Sequence, residues 1–561
     1  MELKSLAHTL RHSCRTWPDK TAMLVPEGKE FRSITYRELE DLVRRVSAVL
    51  KEWGLQRGDR LALQSENCYE WSIVDWASRC LGVVLVPIYP TLPADQTIYI
   101  VRDAECAAVI SSTPEQQAKV AEFDGRKRLL PEIMDAAKTT DMPMGDWERE
   151  VDAAQLNEVS TFIYTSGTTG NPKGAMLSSR AILHVCKFAQ DNYPLNHEDT
   201  FLTFLPMSHV FERVAGQALP IYMGATVAFS KSLATLASDL MTVQPTVMLC
   251  VPRFLEATMD KIVDGAKKQP ALRQKLFFMA LDQGAKRADG KFAPLAGILD
   301  KIVGEKIRAR VGGKMRYFVS GGAALPPHVA RFYLAFRFVV LQGWGLTETA
   351  AGTTLNHPDR NKYWTVGEPM GMDIKIAEDG EILVKGPGLM EGYYNLPEET
   401  AHAIDDEGWF HTGDIGEFEG LSLKITDRKK DIIVLANGKN VAPQKIENTL
   451  KESAFIQEVV LFGDGHEFLY GLIIPNFDRV REKLETDADD QALAARDDVK
   501  ALIKSELDAV NKTLADFEKV KKHAVLAASF SIETGELTPS LKVRRKVVKE
   551  KFADVLKQLV G

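Results

Sequence analysis

Between Ser33 and Ser111 the apolar period switches repeatedly between helical and strand spacing, and this alternation restricts the folds open to the chain more than any other feature. Tyr36 to Trp53 has helical spacing, Arg60 to Gln64 reads as a strand, Glu70 to Cys80 as a helix and Val83 to Ile88 as a buried strand. The alternation continues with Gln96 to Asp103 as a helix and Ala107 to Ser111 as a strand. Strands separated by helices are joined by crossovers, so the pattern predicts an α/β architecture with mostly parallel sheets covered on both faces. Thr246 to Cys250 and Arg316 to Val319 are further short apolar strands between helical segments. Thr139 to Glu158 is acidic and weakly periodic and reads as an exposed connection. After about Gly367 the texture changes to short glycine-flanked strands, Asp373 to Ile376, Gly380 to Val384 and Gly388 to Tyr394, which predicts a small β-rich subdomain. Ile425 to Ile432 is a charged knot between apolar runs, and a hinge fits there, with the following residues forming their own α+β unit.

Bulk properties exclude several function classes. A chain of 561 residues exceeds one hydrophobic core, and about three to four structural units are expected. Hydrophobic residues make up 45% and charged residues 26%, with a net charge of -7, which gives no general attraction to nucleic acid or anionic lipid and makes any anion site local. The six cysteines lack metal-ligand spacing and fit a reducing cytoplasm. No apolar run reaches the roughly 18 residues that span a bilayer, and Met1-Glu2-Leu3-Lys4 does not open a secretory core.

The first chemical signal is Tyr164 to Gly174, a stretch rich in glycine and hydroxyl groups that carries Lys173 and follows Phe162-Ile163-Tyr164. Glycines let backbone N–H groups approach an anion, hydroxyls donate to its oxygens, and lysine adds a mobile charge, so the stretch reads as a polyphosphate clamp. Pro172 before Lys173 and Gly174 after it break the spacing of the common nucleoside-triphosphatase loop. Gly343-Trp344-Gly345 does not complete a dinucleotide fingerprint either, because position 348 is Glu.

Six further stretches occur in a fixed order with this clamp: Leu205 to Arg213, Ser320 to Pro327, Gln342 to Thr349, Gly408 to Gly416, Asp427 to Asp431 and Thr538 to Arg545. Through them nearly the whole chain resembles the adenylate-forming acyl-CoA synthetases, and the long-chain fatty acyl type most. The resemblance implies a large N-terminal α/β domain over 1–426 with two mostly parallel sheets and a β-rich subdomain near 367–426. It also implies a hinge at 427–431 and a small mobile α+β domain over 432–561. The implied reaction uses ATP to activate a fatty carboxylate as an acyl-adenylate with release of pyrophosphate, then transfers the acyl group to the thiol of coenzyme A. Mg²⁺ is the implied cofactor.

By resemblance Glu348 is the Mg²⁺ ligand and Thr347 touches the α-phosphate, while Thr165, Ser166, Gly167, Thr168, Thr169, Gly170 and Lys173 hold the polyphosphate. Gly322, Ala323, Gly343, Trp344 and Gly345 border the nucleotide, with Trp344 replacing the tyrosine more usual in the family. Asp414 and Arg428 match the ribose-binding residues, His209 the group that positions the acyl carboxylate, and Val210 and Phe211 the acyl pocket. Lys542 matches the lysine that bridges carboxylate and α-phosphate, Lys430 the hinge, and Gly438 and Lys439 the segment that meets the pantetheine arm. Read alone, the cationic run from Lys542 to Lys551 is a solvated face, and it leaves room for transient contact with anionic headgroups, so a peripheral location at the inner membrane surface stands beside a cytoplasmic one. The same stretches also fit a ligase for a medium-chain or aryl acid, an acyl-AMP ligase that loads a carrier protein, and a nucleotide- or acyl-binding regulator without turnover.

Overall fold

A computed structural model describes residues 4–165, 171–531, 534–537 and 543–561. The chain divides into two compact units. One comprises Met1–Lys375, Leu383–Thr412 and Glu419–Leu423, and the other Ile376–Ile382, Gly413–Phe418 and Lys424–Gly561.

The predicted alternation is present in the first unit. The helix Tyr36–Glu52 begins where Thr35 accepts from the Glu38 N–H and Glu38 accepts from the Thr35 N–H, a reciprocal cap written in the sequence as Thr-x-x-Glu. Arg60–Gln64, Val84–Ile88 and Ala108–Ser111 are parallel strands around the helices Tyr69–Leu81 and Ala94–Asp103. Gly82 ends the helix Tyr69–Leu81 at a φ of 68°, where a side chain would also meet Arg57.

Two sheets organise this unit. The seven-stranded sheet runs Gly392–Tyr393, Lys173–Ser178, Val159–Thr165, Val84–Ile88, Arg60–Gln64, Ala108–Ser111, Arg126–Leu129. Its last five strands are parallel and the first two antiparallel. The nine-stranded sheet runs Glu368–Pro369, Thr354–Leu355, Val339–Trp344, Tyr317–Ser320, Val247–Cys250, Thr200–Thr203, Thr226–Phe229, Thr21–Glu27, Glu30–Thr35. Six consecutive strands from Val339–Trp344 to Thr21–Glu27 are parallel, which places the carboxyl ends of several strands together, as ligand sites of α/β sheets require.

Two sequence expectations are corrected. Thr139 to Glu158 is not only an exposed connection: Met144–Ala153 is a helix. Trp147 and Val151, four residues apart, are fully buried, and Glu148, Glu150 and Asp152 pair with Arg15, Lys51 and Arg11. Two apolar residues on one stripe suffice when long-range ion pairs hold the other faces. The strand-like Gly388 to Tyr394 reduces to Gly392–Tyr393, which pairs with Met176 and Ala175 in the seven-stranded sheet rather than with its sequence neighbours.

In the second unit Ile456–Phe462 and Leu469–Pro475 are antiparallel and Val520–Val525 runs parallel to the latter. Side chains alternate across this sheet. Val459, Leu461 and Ile473 join Ile446, Ile503 and Leu507 on one face, while Val460, Phe462, Leu472 and Ile474 join Val480, Val548 and Leu556 on the other.

Candidate functional site

The strand Val159–Thr165 leads into the glycine-rich stretch and Lys173 opens the next strand, so the predicted phosphate residues Thr165 and Lys173 sit at strand ends paired with each other. Ser166, Gly167, Thr168, Thr169 and Gly170 lie outside the described residues, as does Lys542. The Lys173 ammonium pairs with Glu399 and lies 5.5 Å from the centre of the Tyr393 ring. The Tyr393 hydroxyl donates to Glu348 Oε1 at 2.7 Å. Glu348 is 175 positions from Lys173 in sequence, yet one tyrosine touches both.

Glu348 lies in the 3₁₀ turn Thr347–Thr349, directly after the strand Val339–Trp344. The Leu346 N–H donates to Thr349 Oγ1 at 2.8 Å and the Met390 N–H to the Glu348 carbonyl at 2.8 Å, which fixes the turn. Ala350 and Ala351 follow at φ values of 48° and 70°, a left-handed pair without glycine. Such strain persists where surrounding structure enforces it, and here it folds the chain back so tightly that a Cβ on Gly345 would stand 2.1 Å from the Ala351 carbonyl oxygen. Trp344 is partly exposed at the strand end beside this turn. A lone carboxylate presented this way suits Mg²⁺, which takes one or two protein carboxylates and completes its shell with phosphate oxygens and water. Among the described residues no group of three or more His, Cys, Asp or Glu side chains forms a closed metal site.

The stretch Leu205 to Arg213 turns into an unusual helix whose residues Glu212–Ala218 are π-helical. Asn67 holds its start by donating to the Leu205 carbonyl at 2.6 Å and accepting from the Met207 N–H at 2.9 Å. His209 Nδ1 accepts from the Phe211 N–H at 3.2 Å. The Phe211 ring lies 3.2 Å from where a Cβ on Gly321 would stand, so the predicted acyl-pocket residue and the glycine segment are in contact; Gly322 follows at a φ of 83° and Ala323 is exposed. Val210 is buried. Gln342 supports the same region, accepting from the Leu325 N–H at 2.8 Å and donating to the Tyr363 and Thr365 carbonyls.

Arg213 is fully buried, donates to Asp75 and to Thr161 Oγ1, and so ties the π-helical segment to the strand that feeds the phosphate stretch. Arg79 shares the same carboxylate at 2.8 Å, and burial brings its guanidinium down to about 10. Glu212, next to Arg213, is buried with Oε2 unpartnered, and burial pushes its carboxyl up to about 8. It is therefore a neutral acid near pH 7. Asn67, Tyr393 and Glu399 were not singled out by sequence; Glu212 entered only as part of the stretch Leu205 to Arg213, where the available signal for its burial was a carboxylate inside a mostly apolar helical run.

In the second unit Arg428 Nε donates to Asp414 Oδ1 at 2.7 Å, so the two predicted ribose-binding residues are partners. Asp414 is nearly buried in the strand Phe410–Glu419, next to Gly413, whose N–H donates to Glu381 at 2.9 Å. Lys429 pairs with Asp379 and Glu381, and Lys430 is held below the ordinary lysine value by burial and by Arg428. Gly438 occupies the turn between Ile433–Val434 and Asn440–Val441 at a φ of 76°, and the Lys439 ammonium lies 4.3 Å from the centre of the Phe517 ring.

Comparison with known proteins places this geometry among related chains. Residues 10–394 match the AMP-binding enzyme family and residues 430–560 match the AMP-binding enzyme C-terminal domain. The chain is 34% identical to the long-chain-fatty-acid–CoA ligase FadD15 of Mycobacterium bovis, over 93% of this chain and 91% of the relative. It is 30% identical to the long-chain-fatty-acid–CoA ligase 1 of Homo sapiens, over 94% of this chain and 82% of the relative. The fold matches the ATP-bound MatB structure from Rhodopseudomonas palustris at a TM-score of 0.75 and 23% identity, covering 98% of this chain and 99% of the other.

Proposed function

From a chain that belongs to the AMP-binding enzyme family, we propose a long-chain fatty acid:CoA ligase that forms an acyl-adenylate from ATP and passes the acyl group to coenzyme A. The observation that carries the reading is the meeting of Lys173, Tyr393 and Glu348, which joins the glycine-rich stretch to the 343–348 turn.

The chemistry follows from charge. A carboxylate is a weak electrophile, and its attack on the α-phosphate brings two anions together. Lys173, the Thr165 hydroxyl and the backbone N–H groups of residues 166–170 orient the polyphosphate, and Thr347 donates toward the α-phosphate. Glu348 holds Mg²⁺, which when bound neutralises phosphate charge. His209 orients the acyl carboxylate, with the tail running past Val210 and Phe211, and Gly322, Ala323, Gly343, Trp344 and Gly345 border the adenine. Asp414 accepts from the ribose hydroxyls and Arg428, donating to it at 2.7 Å, orients that carboxylate. Lys542 enters with the C-terminal domain for adenylation. Rotation about Lys430 then withdraws it and brings Gly438 and Lys439 to the pantetheine arm, with 1–426 and 432–561 as the moving partners around 427–431.

The enzyme works in the cytoplasm with transient contact at the inner membrane surface, where fatty acids partition. Among the described residues no helix is long and apolar enough to cross a membrane. The test is a panel of acids from short to very long chains, with AMP, pyrophosphate and thioester measured against free coenzyme A and against a holo-carrier protein. Long-chain acids with free coenzyme A should give the highest kcat/KM; preference for short or aryl acids, or for the carrier, would displace this reading.

A further inference from the structure

Charge is unevenly spread along this acidic chain. Residues 267–314 hold twelve Lys and Arg against four Asp and Glu, while the whole protein has a net charge of -7. Exposed apolar side chains concentrate in the same place: Leu272, Phe278, Phe292, Leu295, Ile298 and Ile302 are six of the fourteen large exposed apolar residues among the described residues.

These residues form a surface with a defined face. The helix Ala271–Ala288 is followed by Ala296–Leu299, which continues into the π-helical Asp300–Gly304. Leu295, Ile298 and Ile302 stand at i, i+3 and i+7, one stripe of a helix, and Phe292 precedes them. The inward side of the same segment is packed: Ala296, Leu299 and Gly304 are buried and Leu299 joins the core beneath the nine-stranded sheet. The outward stripe therefore has no role in the core. Phe292 is 86% exposed and Ile298 61%, more than chance surface placement of single residues accounts for when four lie together. Lys291, Lys301 and Lys306 flank the stripe and are exposed, with Glu305 the one exposed carboxylate among residues 291–306; Arg308 and Arg337 line the groove beside Ile298 and Lys301 but pair there with Asp300.

An apolar stripe flanked by cations is the composition of a helix that lies in a membrane interface, apolar face in the acyl region and lysines at the headgroups. A polyanion such as RNA would satisfy the lysines and leave Phe292 and Ile298 in water, and a second copy of this chain would set like charge against like. We infer that the outward face of residues 291–306 docks reversibly on an anionic phospholipid bilayer. This inference gives a site to the membrane contact in the reading above, and it differs from the cationic run at 542–551.

The experiment uses the full-length protein and sedimentation with vesicles of phosphatidylcholine alone or with phosphatidylglycerol. Binding is expected to the anionic vesicles, to weaken with salt, and to fall on the order of 100-fold in K291E/K301E/K306E, from about fivefold for each cation near the surface. The double variant F292S/I298S keeps every charge and should also lose binding, which a purely electrostatic contact would not. ATP–pyrophosphate exchange with a water-dispersed acid should remain at the parent level in both variants, which reports correct folding. Binding unchanged in either set, or a parent that is a dimer in solution and becomes monomeric with F292S/I298S, would overturn the inference. A parent that binds vesicles but performs no exchange with any acid would overturn the ligase reading and leave the docking face standing.

Discussion

Glu212→Gln probes how burial has shaped the helix that follows His209. The Glu212 carboxyl is 1% exposed, its Oε2 has no hydrogen-bond partner, and burial raises its value from 4.5 to about 8 against weaker opposing hydrogen bonds from Thr203, Gln217 and the Leu205 backbone. Below pH 4.5 the folded and unfolded chains both keep the proton, and the group contributes no pH dependence. Between 4.5 and about 8 only the unfolded chain releases it, so the folded state loses about 1.4 kcal/mol per pH unit, on the order of 3 kcal/mol by pH 7. Above about 8 the cost is constant. Glutamine has nearly the same shape and does not ionise. The variant should therefore gain stability over the parent as pH rises, from below about 1 kcal/mol at pH 5 to about 3 kcal/mol at pH 7. An amide N–H₂ left without an acceptor would subtract about 1 to 3 kcal/mol at every pH, which makes the slope the diagnostic quantity. Urea unfolding of both proteins at pH 5, 6, 7 and 8 measures it. A difference that is flat, or that shrinks as pH rises, refutes an ionisation displaced by burial.

Glu399→Gln removes the counter-ion of Lys173 and frees that ammonium for phosphate, so the KM for ATP should fall by up to about fivefold, the range of a part-exposed ion pair; an unchanged or higher KM would separate Lys173 from the nucleotide. Gly345→Ala places a methyl against the Ala351 carbonyl in a turn that is already left-handed, and should cost about 1 to 3 kcal/mol in thermal or urea unfolding together with most pyrophosphate exchange; parent-like stability would show that the backbone yields. Lys542→Ala should abolish adenylate formation and retain thioester formation from supplied acyl-AMP, and the reverse pattern would remove Lys542 from the first half-reaction.

Much of the fold was legible because its signals are local. Arg60–Gln64 appears with the bounds that its apolar run suggested, and the helix from Tyr36 starts at a cap written in sequence. The helix Met144–Ala153 was not legible, because its two buried residues, Trp147 and Val151, give little periodicity and its partners Arg11, Arg15 and Lys51 lie about 100 or more positions away. Gly392–Tyr393 pairs with Met176 and Ala175, a contact that no local pattern encodes. The site divides the same way. Lys173, Glu348, Asp414 and Arg428 stand in recognisable stretches, whereas Tyr393 and Glu399 reach the site only through tertiary folding and carry no spacing signal. Asn67 is equally silent in sequence, since clamping the Leu205–Met207 backbone requires only one amide at the right place.

The central claim is that one site sets a polyphosphate held by Lys173 and Glu348 against a fatty carboxylate. Exchange of labelled pyrophosphate into ATP, with Mg²⁺ and without coenzyme A, tests it most directly. Exchange that appears only when palmitate or oleate is added, and disappears in Glu348→Gln, is the predicted result. Folded, Mg²⁺-supplied protein that shows no acid-dependent exchange with any acid from short to very long chains would contradict it.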